Sequence, residues 1–212
     1  MKKGITTIIL FVLWTVLILT VDVQIVGESL TAVGFATFNT WFHQFTGVHM
    51  WIYTATDWLG LVPVFVCVVF GMIGLVQLIK RKSILKVDFD ITILGVYYVL
   101  VIVGYLAFEM FPINYRPILI EGRMEASYPS STTLLVLGVM PTLIFQVKRR
   151  IENKKMQKMI SLLTIIFTFL MVFGRLISGV HWVTDIVGSI LLSTGLFEIY
   201  KASVVQFCKE KK

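Results

Sequence analysis

Apolar residues in this chain come in long unbroken runs, separated by short charged or polar tracts. Six runs stand out, at residues 5–26, 58–79, 91–108, 129–147, 159–173 and 182–200. A bilayer core about 30 Å thick is crossed by roughly 20 residues of helix, so each run reads as a membrane span. The fifth is short unless it extends toward Ser178. Pro141 is expected to kink the fourth, because it removes a helical hydrogen bond. The first run follows Met1-Lys2-Lys3. It is longer than the apolar core of a secretory signal and no small-residue cleavage site follows it, so it is read as span one.

The segment 28–57 is uncharged between Glu28 and Asp57. Within it Phe38, Trp41, Phe42, Phe45, Val48 and Ile52 recur at helical spacing, opposite Asn39, Thr40, His43 and Thr46. That pattern predicts a helix lying in the membrane interface with its aromatics at headgroup depth, although a packed loop helix has the same signature. A polar loop, 109–128, separates the third and fourth spans. The expected fold class is therefore all-α: an integral membrane bundle of six transmembrane helices with an interfacial helical segment in the first outer loop. No repeat or low-complexity stretch divides residues 1–212, which read as a single membrane-embedded domain.

Composition agrees. The 212 residues are 57% hydrophobic, against about 45–50% in soluble domains. A formal charge of +7 raises the question of nucleic acid. The basic residues, however, lie in short tracts between spans, and no basic-aromatic groove or nucleic-acid motif is present. They suit anionic lipid headgroups instead. Cys67 and Cys208 form no disulfide or metal pattern, and neither a metal nor a cofactor is expected. Of the 19 Lys and Arg residues, all but Arg116, Arg123 and Arg175 fall on one side of the predicted spans. The positive-inside rule then sets both termini in the cytoplasm and those three arginines outside. Short loops and lysine-rich ends suggest a bacterial cell membrane.

Three segments on the outer side hold candidate chemistry: EMFPINYRP at 109–117, SYPSST at 127–132 and GRLISGVHWVTD at 174–185. In the last, His181 and Asp185 are four apart, so on a helix they share a face where the carboxylate can fix the imidazole's tautomer. Arg175 offers a planar fork suited to phosphate oxygens. A structural His–Asp pair capping a helix would look the same.

Taken in order, the three segments resemble the type 2 phosphatidic acid phosphatase family, whose pattern is K-x6-R-P, P-S-G-H and S-R-x5-H-x3-D on a six-helix membrane core. Arg116, Pro117, Pro129, Ser130, Arg175, His181 and Asp185 match. Four positions depart: Glu109 stands for lysine, Ser131 for glycine, Thr132 for histidine and Gly174 for serine. The gap between the Arg-Pro and Pro-Ser pairs is 11 residues, near the family's short limit.

The resemblance implies metal-free phosphoryl transfer at the outer face. His181 would attack phosphorus and form a phosphohistidine, with Asp185 holding its other ring nitrogen. Arg116, Arg175 and Ser130 would bind the phosphoryl oxygens. The partner implied is a phosphorylated or diphosphorylated lipid in the bilayer; no protein partner is indicated. Thr132 would replace the family's general acid, a loss worth about 10²–10⁴-fold in rate. A diphosphate, whose leaving group is stable as an anion, needs that proton less than a monoester does. The expectation is a preference for lipid diphosphates.

Glu109 has three readings: a substitute proton donor, a contact for a headgroup amine, or an exposed carboxylate at a helix end. His43 and His49 are either further donors or simple interfacial histidines. Glu121, Arg123 and Glu125 read as a solvated ion-pair cluster, with Arg123 alternatively a second headgroup contact. Two functions stay open: a membrane lipid phosphatase or phosphotransferase, and a catalytically impaired relative that binds or moves phospholipid without cleaving it.

Overall fold

The computed structural model describes residues 1–28 and 30–210. In chain order they form α1 (Lys2–Thr20), β1 (Gln24–Val26), β2 (Thr31–Val33), α2 (Ala36–Thr46), α3 (Met50–Leu59), α4 (Leu61–Arg81), a short 3₁₀ turn (Ile84–Lys86), α5 (Phe89–Met110), α6 (Ser131–Arg150), α7 (Lys154–Ile177) and α8 (Val183–Glu210). Six helical stretches are long and apolar enough to cross a membrane, with α3 and α4 running together as one of them. Together with the composition, this makes the chain an integral membrane protein.

The spans are not equivalent. α6 and α8 bury about half of their apolar stretch, whereas the other four expose most of theirs. Exposed apolar side chains such as Phe65, Val99 and Phe169 face outward, where lipid tails solvate them. α6 and α8 carry much of the buried polar content of the spans. Thr142, Gln146, Ser189 and Ser193 are all buried there, and each is hydrogen-bonded, as an apolar surrounding requires. α1 lies close on α8: a Cβ on Gly4 would meet the Gly195 carbonyl oxygen at 2.9 Å, the small-residue contact typical of membrane helices.

Several sequence-based boundaries shift. The first span stops at Thr20, not 26, because Asp22 breaks it and accepts from the Thr37 backbone N–H at 2.7 Å. Gln24–Val26 and Thr31–Val33 then pair antiparallel, the one sheet among the described residues, with Gly27 at φ 82 after the first strand. The predicted interfacial helix is two helices, split at Gly47 (φ 70), so Val48 and Ile52 leave the α2 face. The fifth span is longer than 159–173 and reaches Ile177. α6 continues through Pro141, with the Tyr97 hydroxyl donating to the Gly138 carbonyl one turn before it.

α2 itself has the predicted polarity. Phe38, Trp41 and Phe45 are 46, 58 and 77% exposed, while Asn39 is buried on the opposite side against α8. An apolar face turned outward suits a bilayer boundary.

The chain crosses the bundle alternately, so the basic tracts at 80–86 and 148–158 gather at one end and the three motif segments at the other. At the basic end Arg81 and Arg150 pair with Asp88 and Asp90, at 2.8 Å each. Lys211 and Lys212 of the basic tail, and the Cys208 side chain, lie outside the described residues.

Candidate active site

Four segments meet at the other end of the bundle: the loop 111–130, the start of α6, the loop joining α7 to α8, and α3. The α7–α8 loop is held from several sides. Gly179 has φ +73, and a Cβ there would lie 2.2 Å from the Gly47 carbonyl oxygen, so only glycine fits. His43 Nε2 lies 3.1 Å from the Gly179 carbonyl and the His49 N–H donates to the Ser178 carbonyl. His49 Nε2 is itself against the Thr46 carbonyl at 2.9 Å. Both outer-loop histidines are thus engaged in holding backbone.

His181, at the end of this loop, is buried, and neither ring nitrogen has a hydrogen-bond partner among the described residues. Its Nδ1 is 3.7 Å from Asp185 Oδ2, an ion-pair distance rather than a hydrogen bond. Burial pushes the imidazole pKa down to about 4; Asp185 opposes the shift, and the nearby Arg116 and Arg175 add to it. The ring is therefore neutral at physiological pH and keeps a lone pair. Asp185 does two things. Its Oδ2 accepts from the Trp182 N–H at 2.9 Å, closing the first turn of α8, and its Oδ1 accepts from Asn114 at 3.3 Å. The one carboxylate thus caps the helix and stands beside the imidazole without a hydrogen bond to it.

Arg175, in the last turn of α7, is the largest fully buried side chain described. Its Nη2 donates to Asp57 Oδ1 at 2.7 Å and also to Thr132 Oγ1. Its Nε and Nη1 are buried without a hydrogen-bond partner among the described residues, which leaves half of the fork for an anion. Arg116 comes from the loop 111–130, which folds back on itself through a Tyr115–Ala126 bridge. It pairs with Glu125 at 3.1 Å. The ring of Tyr53 on α3 lies under both guanidinium groups, 4.8 Å from Arg175 Cζ and 5.5 Å from Arg116 Cζ. Such cation–π contacts let two like charges share a small space.

Ser130 is the N-cap of α6. Its hydroxyl donates to Thr133 at 3.0 Å, and its carbonyl accepts from Ser189 on α8. Beyond it, the N–H groups of Ser131, Thr132 and Thr133 open the helix without intrahelical partners, the usual cradle for an anion. The structure thus brings together His181, Asp185, Arg116, Arg175, Ser130, Ser131 and Thr132.

Two other motif positions behave differently. Glu109 is exposed at the end of α5. Gly174 is a packing residue: a Cβ there would meet Thr56 Cγ2 at 2.8 Å, so its absence lets α3 lie against α7. Among the described residues no cluster of three or more His, Cys, Asp or Glu side chains could hold a metal ion.

Three contributors escaped the sequence reading. Tyr53 and Asp57 belong to the segment read as interfacial, and Glu125 to a cluster read as solvated. Arg123, in that same cluster, is exposed. One signal was there for Asp57, an isolated carboxylate at the edge of an apolar run, where an ionisable group needs a partner.

Beside Asp57 and Thr132 a cavity of about 250 Å³ opens, lined by Leu61, Val101, Ile102 and Tyr105 among others. It is long on apolar wall and short on polar groups, the character of a lipid-tail slot.

Comparison with known proteins gives the arrangement a context. The structure resembles the crystal structure described as the first transmembrane PAP2 type phosphatidylglycerolphosphate phosphatase from Bacillus subtilis. The TM-score is 0.69 at 17% identity, over 100% of this chain and 98% of that one. No curated protein sequence matches the chain. The profile of the PAP2 superfamily matches residues 91–206, more than half of the sequence and a stretch that contains Arg116, Ser130, Arg175, His181 and Asp185. Sequence, span count and fold agree, and the chain belongs to the PAP2 superfamily.

Proposed function

We propose that this protein is a lipid phosphatase that removes phosphate from a phosphorylated or diphosphorylated lipid at the extracytoplasmic face, through a phosphohistidine on His181. The observation that carries the reading is a buried, neutral imidazole beside two guanidinium groups and a helix N-terminus. The lone pair of His181 attacks phosphorus while Asp185 steadies the ring and takes up the positive charge that develops on it. Arg175, Arg116 and the first N–H groups of α6 hold the phosphoryl oxygens, whose charge changes most in the transition state. The apolar cavity beside Thr132 takes part of the acyl or prenyl chain.

The direct test is phosphate release by purified protein from a panel of lipid mono- and diphosphates, phosphatidylglycerolphosphate among them. Wild type should release phosphate, form an acid-labile phosphoenzyme, and lose both with His181→Ala. Release unaffected by His181→Ala would reject the phosphohistidine. Binding of these lipids with no release from any of them would favour a carrier that holds phospholipid without cleaving it.

A further inference from the structure

We infer that Asp57 is the proton donor to the leaving group, at the place where the family pattern has a histidine and this chain has Thr132. The inference rests on the phosphatase reading above.

The geometry is specific. One nitrogen, Arg175 Nη2, bonds both Asp57 Oδ1 and Thr132 Oγ1, so the carboxylate stands directly beside the position of the missing acid. Asp57 and Thr132 also line the same cavity, the one suited to the lipid chain, whereas His181 does not. A leaving oxygen attached to that chain therefore departs on the Asp57 side. In-line displacement requires the nucleophile on the other side of phosphorus.

Other candidate donors are occupied or remote. His43 and His49 hold backbone carbonyls, and neither Glu125, beside Arg116, nor Glu109, at the end of α5, lines the cavity that Asp57 and Thr132 share. Two departures from the motif then have one explanation. Gly174 lets α3 approach α7 closely enough for Asp57 to reach Arg175, and Asp57 supplies what Thr132 cannot.

Asp57 is paired with Arg175 and its side chain is 59% exposed, open to water. A phosphate on the Nε and Nη1 half of the Arg175 fork lies beside the Asp57 carboxyl, with its leaving oxygen toward the cavity that Asp57 lines. Other titratable groups around it are Tyr105 from α5, Tyr53 from its own helix and Arg116 behind Arg175; α6 offers only hydroxyls. In the first half-reaction the His181 lone pair forms the N–P bond and the P–O bond to the lipid breaks. The electron pair goes to the lipid oxygen, which takes the proton from Asp57. In the second, Asp57 accepts a proton from water as its oxygen attacks phosphorus, and the N–P electrons return to His181.

The test compares a lipid monophosphate with a lipid diphosphate of the same chain in wild type, Asp57→Asn, Asp57→Asn/Thr132→His and His181→Ala. Asp57→Asn should lower kcat for the monophosphate about 10²–10⁴-fold, with KM little changed, and for the diphosphate less than tenfold. Thr132→His in the Asp57→Asn background should recover much of the monophosphate rate, which also shows that the variant folds. Equal losses on both substrates would reduce Asp57 to a positioning partner of Arg175, and no loss on either would remove it from the reaction. Loss of all activity in His181→Ala alongside either of those results would overturn the role of Asp57 while leaving the phosphatase reading intact. A wild type that releases no phosphate would overturn both.

Discussion

At the scale of the residue, the site depends on how little water reaches His181. Burial holds its imidazole neutral down to about pH 4, whereas an unperturbed histidine is half protonated near 6.5. Phosphoenzyme formation is therefore expected to be nearly as complete at pH 5.5 as at 7.5, read as burst amplitude with a labelled substrate. A fall centred near pH 6.5 would show that the ring is hydrated. The same shift has a cost with a defined sign. Below about 6.5 the unfolded chain protonates this histidine and the folded chain does not, so its contribution to stability falls as pH drops toward 4. Thermal unfolding of wild type and His181→Gln over that window should converge as the pH rises.

Asp185 carries two duties, and they separate under substitution. Asparagine at 185 keeps an acceptor for the Trp182 N–H but loses the charge that faces His181. Asp185→Asn should thus keep a near-wild-type melting temperature while kcat falls about a hundredfold, the lower range for a positioned proton-handling group. A large drop in melting temperature would make the cap its main work. The motif residues themselves were legible because their chemistry is bound to short spacings. Tyr53 and Asp57 were not, because each meets an arginine far away in the chain, and Glu125 was not, because its pairing with Arg116 depends on how the loop 111–130 folds back.

At the scale of the element, α3 is the piece most easily misread. Its sequence, MWIYTATDWL, looks like the continuation of an aromatic interfacial stretch. Only the break at Gly47 and the close pass at Gly174 turn its Tyr53 and Asp57 toward the site. Gly174→Val should push α3 from α7, destabilise the fold by about 1–3 kcal/mol as overpacking does, and weaken monophosphate turnover more than diphosphate turnover. Unfolding in mild detergent and the two rates, measured on one preparation, check both parts. The spans themselves were readable because lipid demands length and apolarity from each alone. Their ends were less so. The helix at 2–20 stops where Asp22 accepts a hydrogen bond from the Thr37 N–H, 15 residues on, and the one at 154–177 runs on into polar residues.

At the scale of the molecule, charge and chemistry sit at opposite ends of the bundle. If basic tracts face the cytoplasm, as the positive-inside rule holds, the site faces out. In a version lacking Cys67 and Cys208, a cysteine at Glu121 should react with a membrane-impermeant maleimide on intact cells, and one at Lys82 only after the membrane is opened. The reverse pattern would invert the topology and place the substrate in the inner leaflet.

The amphipathic helix α2 belongs to both halves of that picture. Its outer side exposes Trp41 and Phe45, and its inner side carries His43, which lies against the Gly179 carbonyl, two residues before His181. If α2 lies in the membrane surface, the bilayer bears on one side of it and the loop that carries His181 hangs from the other. Turnover is then expected to differ between bilayers and detergent, read as phosphate release at equal substrate fraction.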